Sequence, residues 1–161
     1  MNQKALNRAI KKWLETKGFR ALVTGNKREF VVQVKDLFPT KSYHIPDVVG
    51  IKDSRVAIVE TETKLDEIYE AIVKCLIWKV MATFVYVAYP KGICQNFEVL
   101  RRYGIGLLDV SEDTVQEVIE LMENGKPRFN VTELHPLDHA REQEVFRQIE
   151  RVLKLRNRAR Y

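Results

Sequence analysis

An α/β fold with a mixed sheet is predicted for this chain from three observations. Uninterrupted apolar, β-branched and aromatic runs such as FVYVAY, residues 84–89, need cover on both faces, as strands between helices receive it. Runs with helical three-and-four spacing alternate with them through residue 125. The chain has 161 residues, 45% of them hydrophobic and 30% charged, enough for one domain that buries roughly two-thirds of its unfolded surface without a disulfide or metal staple.

Each element follows in order. Ala5, Leu6, Ala9, Ile10, Trp13 and Leu14 recur at helical spacing with Lys and Arg on the other face, and Gly18 stops the helix. FRALVT, residues 19–24, reads as a strand, GNKRE as a turn, and FVVQVKDLFP as either a strand or a short helix. Residues 45–51 and 55–63 are β-branched and meet at KDS, which predicts a hairpin. From Leu65 the period lengthens, and Ile68, Ala71, Ile72, Cys75, Leu76, Lys79 and Val80 fit a helix to about Ala82. Its Asp66 and Glu67 sit in the first turn, where the helix dipole favours acids. Residues 83–89 form a strand ended by Pro90, NFEVLRRYG a helix closed by Gly104, and GIGLLDV a strand. Residues 113–123 read as a helix closed by Asn124 and Gly125. PRFNVTEL is then a short extended piece, and a last helix from His139 to about Arg156 buries Val145, Phe146, Ile149, Val152 and Leu153. The order is α-β-(β)-β-β-α-β-α-β-α, with no internal repeat.

Charge and cysteine usage bound the setting. Residues 1–35 hold nine Lys/Arg against Glu15 and Glu29, and residues 141–161 hold seven against three Glu, whereas residues 109–123 carry six acids and no base. Basic ends within a net charge of +5 suit a polyanion. Cys75 and Cys94 lie in apolar surroundings without CxxC spacing, as buried thiols do in a reducing compartment. The amphipathic start MNQKALNRAIKKWLE has no secretory h-region, and no run approaches the roughly 20 apolar residues of a membrane span. A cytoplasmic protein without membrane attachment is the expectation. His135 and His139 have i, i+4 spacing, but Pro136 interrupts them, and no glycine-rich phosphate loop or nucleophile elbow is present.

The chemistry is concentrated in HIPDVVGIKDSRVAIVETETK, residues 44–64. Side chains alternate along a strand, so Glu60, Glu62 and Lys64 share one face while Val59, Thr61 and Thr63 take the other. Across the hairpin Asp47 is close enough for its carboxylate to meet that of Glu60. Gathered carboxylates repel one another, and raised pKa values or a bound cation must relieve them. Oxygen ligands of this kind select Mg²⁺ or Mn²⁺ over Zn²⁺. The bland alternative is an exposed, charged stripe where the strand leaves the sheet.

IPDVVGIKDSRVAIVETETK resembles the signature of the PD-(D/E)xK nuclease superfamily, which includes restriction endonucleases and archaeal Holliday-junction resolvases. The likeness runs from the first helix to about Val110. It implies a restriction-endonuclease-like αβββαβ core with a central mixed sheet, residues 1–125, and a C-terminal helical extension, residues 126–161. It also implies a metal-dependent endonuclease that hydrolyses phosphodiester bonds of DNA, with Mg²⁺ or Mn²⁺ as its sole cofactor. By that resemblance Pro46 and Asp47 match the first motif, Asp47, Glu60 and Glu62 are the metal-ligand candidates, and Lys64 completes the catalytic set. The second motif fits two registers. With Glu60 as the metal acid, Glu62 takes the lysine's place. With Glu62 as the acid, Lys64 is the usual lysine and Glu60 an extra ligand. The spacing from Asp47 to Glu60 is nearer to that of the resolvases and favours the first register. Asn7 stands roughly where the family often adds an acid from its first helix. Phosphate contacts are expected from Lys11, Lys12, His44, Lys74, Lys79, Arg156, Arg158 and Arg160. A homodimer is expected, as such enzymes commonly pair to cut both strands, with the apolar last helix as its interface. The rival reading is a superfamily member without catalysis that serves as a nucleic-acid-binding or assembly module.

Overall fold

The computed structural model describes residues 1–24, 32–33, 43–94, 98–112, 114–128 and 137–159, with the side chains of 32, 33, 43, 44, 67 and 155–159 left aside. The fold is α/β, with a six-stranded mixed sheet and, among the described residues, four α-helices.

Helix α1 (Gln3–Thr16) begins at Asn2, whose side chain accepts from the Ala5 backbone N–H at 2.8 Å. It ends where Gly18, at φ +91°, lets the chain reverse: the Gly18 N–H reaches the Glu15 carbonyl and the Phe19 N–H that of Leu14, both at 3.0 Å. Strand β1 (Arg20–Val23) follows, and β2 (Val32–Gln33) pairs with β3 (Tyr43–His44) in a separate two-stranded sheet. Strands β4 (Val48–Lys52) and β5 (Arg55–Thr61) form the predicted hairpin. Its two-residue turn places Asp53 at φ 49° and Ser54 at φ 65°, a pair of positive values that matches the twist of the strands. A 3₁₀ turn (Leu65–Glu67) leads into α2 (Ile68–Trp78), then β6 (Phe84–Pro90), α3 (Glu98–Arg102), β7 (Gly106–Val110), β8 (Val115–Ile119) and α4 (His139–Ala159).

The strand order in the large sheet is β1-β4-β5-β6-β7-β8. Its first three strands are antiparallel, β5, β6 and β7 run parallel, and β8 returns antiparallel. Strand alternation divides the core. Ala57 and Val59 face α1, whose Leu6, Ile10 and Leu14 are fully buried there. Val56 and Ile58 face the other side, with Ala71, Cys75 and Trp78 of α2 and Val145, Ile149 and Val152 of α4. Each fully buried Leu or Ile contributes about 1.5–3 kcal/mol, so α1 is held by its apolar stripe more than by helix propensity.

Three expectations are corrected. The helix expected over 113–123 is not formed by residues 114–123: Val115–Ile119 is the strand β8, whose acids lie on the sheet's outer edge. Val115, Val118 and Ile119 have helical spacing, but pairing to β7 satisfies the backbone of β-branched residues that a short helix would leave poorly packed. Helix α2 ends at Trp78 rather than Ala82, because Val80 and Met81 switch to i−3 bonds, to the Ile77 and Trp78 carbonyls. The apolar stripe of α4, expected as a dimer surface, is spent on the chain's own sheet, with Val145, Ile149 and Val152 buried against it. FVVQVKDLFP contributes strand at Val32–Gln33, and the rest of it, like His135, lies outside the described residues. No helix among the described residues is long and apolar enough to cross a membrane.

Candidate active site

The carboxylates gather where β4 begins and β5 ends. Val48 pairs with Val59, so one step back Asp47 faces Glu60 across the hairpin. Asp47 is held from three directions. Its Oδ2 accepts from the Thr61 backbone N–H at 2.9 Å, its carbonyl accepts from the Thr24 N–H at 3.1 Å, and the Thr24 hydroxyl donates to the carbonyls of Pro46 and Asp47. Pro46 fixes its own φ, which narrows the backbone leading into the strand.

Glu60 is only 1% exposed, and its Oε1 accepts from the indole Nε1 of Trp78 at 2.6 Å. Burial first, then the charge of Asp47 and a side-chain hydrogen bond with it, push the Glu60 pKa up to about 9; the Trp78 bond and the charge of Lys74 pull the other way. At neutral pH the buried Glu60 therefore holds its proton beside Asp47. Glu62 is 7% exposed and takes the same side of the chain as Glu60: burial and the charges of both push the Cys75 thiol well above its ordinary pKa. The Glu62 backbone N–H continues the parallel ladder to the Ala88 carbonyl at 3.0 Å.

Thr61 faces the opposite way, as alternation requires. Its hydroxyl donates to Oδ1 of Asn7 and accepts from Nε2 of Gln3 at 2.7 Å, and Gln3 also reaches the Thr61 carbonyl at 2.8 Å. Asn7 thus stands beside the site, as its place in the first helix suggested, but as an amide tying α1 to the strand between the two glutamates.

The remaining predicted residues divide. Lys64 lies beyond the end of β5, at the residue preceding the 3₁₀ turn, and is exposed. Lys74 is half-buried on α2. Lys11 is half-buried and paired with Glu15 at 3.3 Å, and Lys12 is exposed. Lys79 is corrected as a phosphate contact: it is 9% exposed, its Nζ donates to the Gly104 carbonyl at 2.9 Å, and burial lowers its pKa. The backbone of His44 is in β3 and those of Arg156 and Arg158 in α4, but their side chains, and the whole of Arg160, lie outside the described residues.

Two groups escaped the sequence reading. Trp78 carried a signal, since a buried indole N–H needs an acceptor. Glu142 did too, being in register with Val145, Ile149 and Val152 on the apolar stripe of α4. It is 2% exposed, and its Oε2 accepts from the Val56 N–H at 3.1 Å, the Thr83 N–H at 2.6 Å and the Thr83 hydroxyl at 2.7 Å. A cavity of about 400 Å³ lies at the opposite, β4–β5 turn end of the sheet, with Trp13, Phe19, Phe84 and Tyr86 among its walls. None of Asp47, Glu60 and Glu62 lines it.

Among the described residues no group of three or more His, Cys, Asp or Glu side chains is arranged to hold a metal ion. What is present is a two-carboxylate pair with a third acid nearby. Glu60, raised by burial and by the charge of Asp47 beside it, fits a divalent cation, because such an ion relieves the same repulsion, and Mg²⁺ commonly takes only one or two carboxylates, with water and phosphate oxygens completing its shell.

No family model and no curated protein matches the chain. Among solved structures it is similar to the SPO1766 protein of unknown function from Silicibacter pomeroyi, with a TM-score of 0.62, 16% identity, and coverage of 99% of this chain and 90% of that one. The likeness is one of fold.

Proposed function

We propose that this chain is a metal-dependent nuclease of the PD-(D/E)xK type acting on DNA. The observation that carries the reading is the meeting of Asp47 and Glu60, one half-buried and one buried, at the ends of two paired strands, after an otherwise apolar run. The order α1, β1, β4, β5, α2, β6, with β5 and β6 parallel, supports it as the αβββαβ order that the resemblance implies. Asp47 and Glu60 would hold Mg²⁺ or Mn²⁺, which when bound polarises a phosphoryl oxygen and acidifies a water. Thr61 fixes one Asp47 oxygen and Trp78 one Glu60 oxygen. Pairing of Asp47 with Glu60 favours the register in which Glu60 is the metal acid, with Glu62 as the adjoining acid. Lys11 and Lys12 reach solvent and suit phosphate contacts.

The second reading, a nucleic-acid-binding module without catalysis, is favoured by one observation: Lys64, the motif lysine, is exposed beyond the strand that carries Glu60. Cleavage of plasmid, linear and branched DNA under Mg²⁺ or Mn²⁺ titration, comparing wild type with Asp47→Ala, tests both. Metal-dependent cutting lost in the variant supports the nuclease. DNA retention without metal-dependent cutting supports the module.

A further inference from the structure

We propose that Lys74 of α2, and not the motif lysine Lys64, is the cation of the Asp47–Glu60 site and its contact to the scissile phosphate. The inference rests on the nuclease reading. Its geometric basis is the phase of α2. Trp78 anchors one face of that helix on Glu60 through its 2.6 Å indole bond. Lys74 precedes Trp78 by four residues and so stands on the same face, one turn away.

The direction of that turn follows from the topology. Strands β5 and β6 are parallel and joined through α2, so α2 runs back against them, with its N-terminal end over the end of β5. Side chains on a helix lean toward its N-terminus. Lys74 therefore lies between Trp78 and the open end of the strand, above the stretch that carries Glu60 and Glu62. Val73 beside it is 57% exposed, so this part of α2 borders solvent from which a phosphate can enter.

Five other lysines are already committed within the fold. Lys79 is committed to the Gly104 carbonyl, Lys52 to the Lys17 carbonyl, Lys17 to Glu117, Lys11 to Glu15 and Lys154 to Glu150. Lys74, half-buried, makes no hydrogen bond or ion pair among the described residues, and its charge acts on Glu60. Lys64 is exposed beyond the end of β5, in the residue before the 3₁₀ turn. An unpaired ammonium whose charge acts on Glu60 is placed to meet the negative charge that grows on the non-bridging oxygens of a phosphodiester. The overall step is hydrolysis: water's oxygen bonds to phosphorus, one ester P–O bond breaks, and water's protons end on the departing alcohol and the new phosphate group. Lys74 stabilises charge in that step and transfers no proton.

The test compares Lys74→Met, Lys74→Arg and Lys64→Met with wild type by calorimetric titration of Mn²⁺ alone and by cleavage of plasmid and branched DNA. Removing a like charge beside a cation site tightens Mn²⁺ binding, by about five-fold, while cleavage falls at least ~100-fold. Lys74→Arg retains most of both wild-type values, and Lys64→Met leaves both within about two-fold. This opposite movement of affinity and rate is not produced by a fold defect, which lowers the two together. The proposal is overturned if Lys74→Met weakens both, if Lys64→Met gives the opposed pattern instead, or if wild type binds no Mn²⁺. Wild type that binds Mn²⁺ but cuts no DNA removes the nuclease reading; the Mn²⁺ affinity of Lys74→Met against Lys64→Met then still decides which lysine faces the site.

Discussion

Strand β5 has a buried carboxylate at each end, and the two are surrounded in opposite ways. At its start, Glu142 reaches from α4 and one oxygen accepts three hydrogen bonds, from Val56 and Thr83. At its end, Glu60 has the indole of Trp78 as donor and another acid, Asp47, as neighbour. Their exposures, 2% and 1%, are the same for any practical purpose. Burial thus does not decide what a carboxylate does; the donors that replace its water do. Glu142 is a clasp that closes the entry of two parallel strands. Glu60 carries repulsion that a proton relieves and that a cation can relieve in its place.

The contrast can be broken at either end. The largest effect is expected from Asp47→Ala, which removes the second acid: metal-dependent cleavage falls by roughly 1000-fold, about 4 kcal/mol in the barrier, measured on plasmid DNA. At the other end, Glu142→Ala leaves two buried backbone N–H groups without an acceptor. Urea unfolding should register a loss of about 2–5 kcal/mol, with no comparable loss for Glu142→Gln, which keeps a carbonyl in place.

The pH dependence of stability separates the two ends more finely. Glu60 in the folded chain holds its proton to about pH 9, against an ordinary value of 4.5. Between those values the folded state binds more protons than the unfolded state, so this group lowers stability as pH rises through the window and has no such effect below it. Glu60→Gln should therefore be more stable than wild type by about 1–3 kcal/mol at pH 8 and no more stable at pH 4, read from urea midpoints. Because Mn²⁺ competes with that proton, its thermal stabilisation of wild type should grow from pH 6 to pH 9. The smallest effects belong to lysines away from the contrast. Lys79→Met should leave DNA retention unchanged, and Lys12→Ala should reduce the salt slope of DNA binding by about one.

The carboxylate hairpin was readable from residues 44–64 because a strand's period of two is local: β-branched runs separated by KDS and the placement of Asp47 and Glu60 follow from it, while the structure narrows the turn to Asp53 and Ser54. The phase of α2 was readable only in part. Ile68, Ala71, Ile72, Cys75 and Leu76 mark an inner stripe, but Ile77 and Trp78 widen it at the helix end, so the stripe does not indicate that Trp78 turns toward Glu60. Residues 113–123 misled for a related reason: Val115, Val118 and Ile119 satisfy the helical period, and only the free edge of β7 beside them makes a strand the better partner. Glu142 could have been found from its place in an apolar stripe, but not the two strands that it joins.

By itself the sequence determined that Glu60 and Glu62 share one side of the chain and Thr61 the other, since covalent geometry alternates side chains along a strand. It also determined that Asp47 starts the paired strand. Only the tertiary structure decided that Thr61 binds α1 through Gln3 and Asn7, that Trp78 meets Glu60, and that Lys74 stands one turn away while Lys64 stands in solvent. The hydrogen-bonded meetings join residues 18 to 58 positions apart, and they depend on helix phase and crossover packing, which no local period encodes.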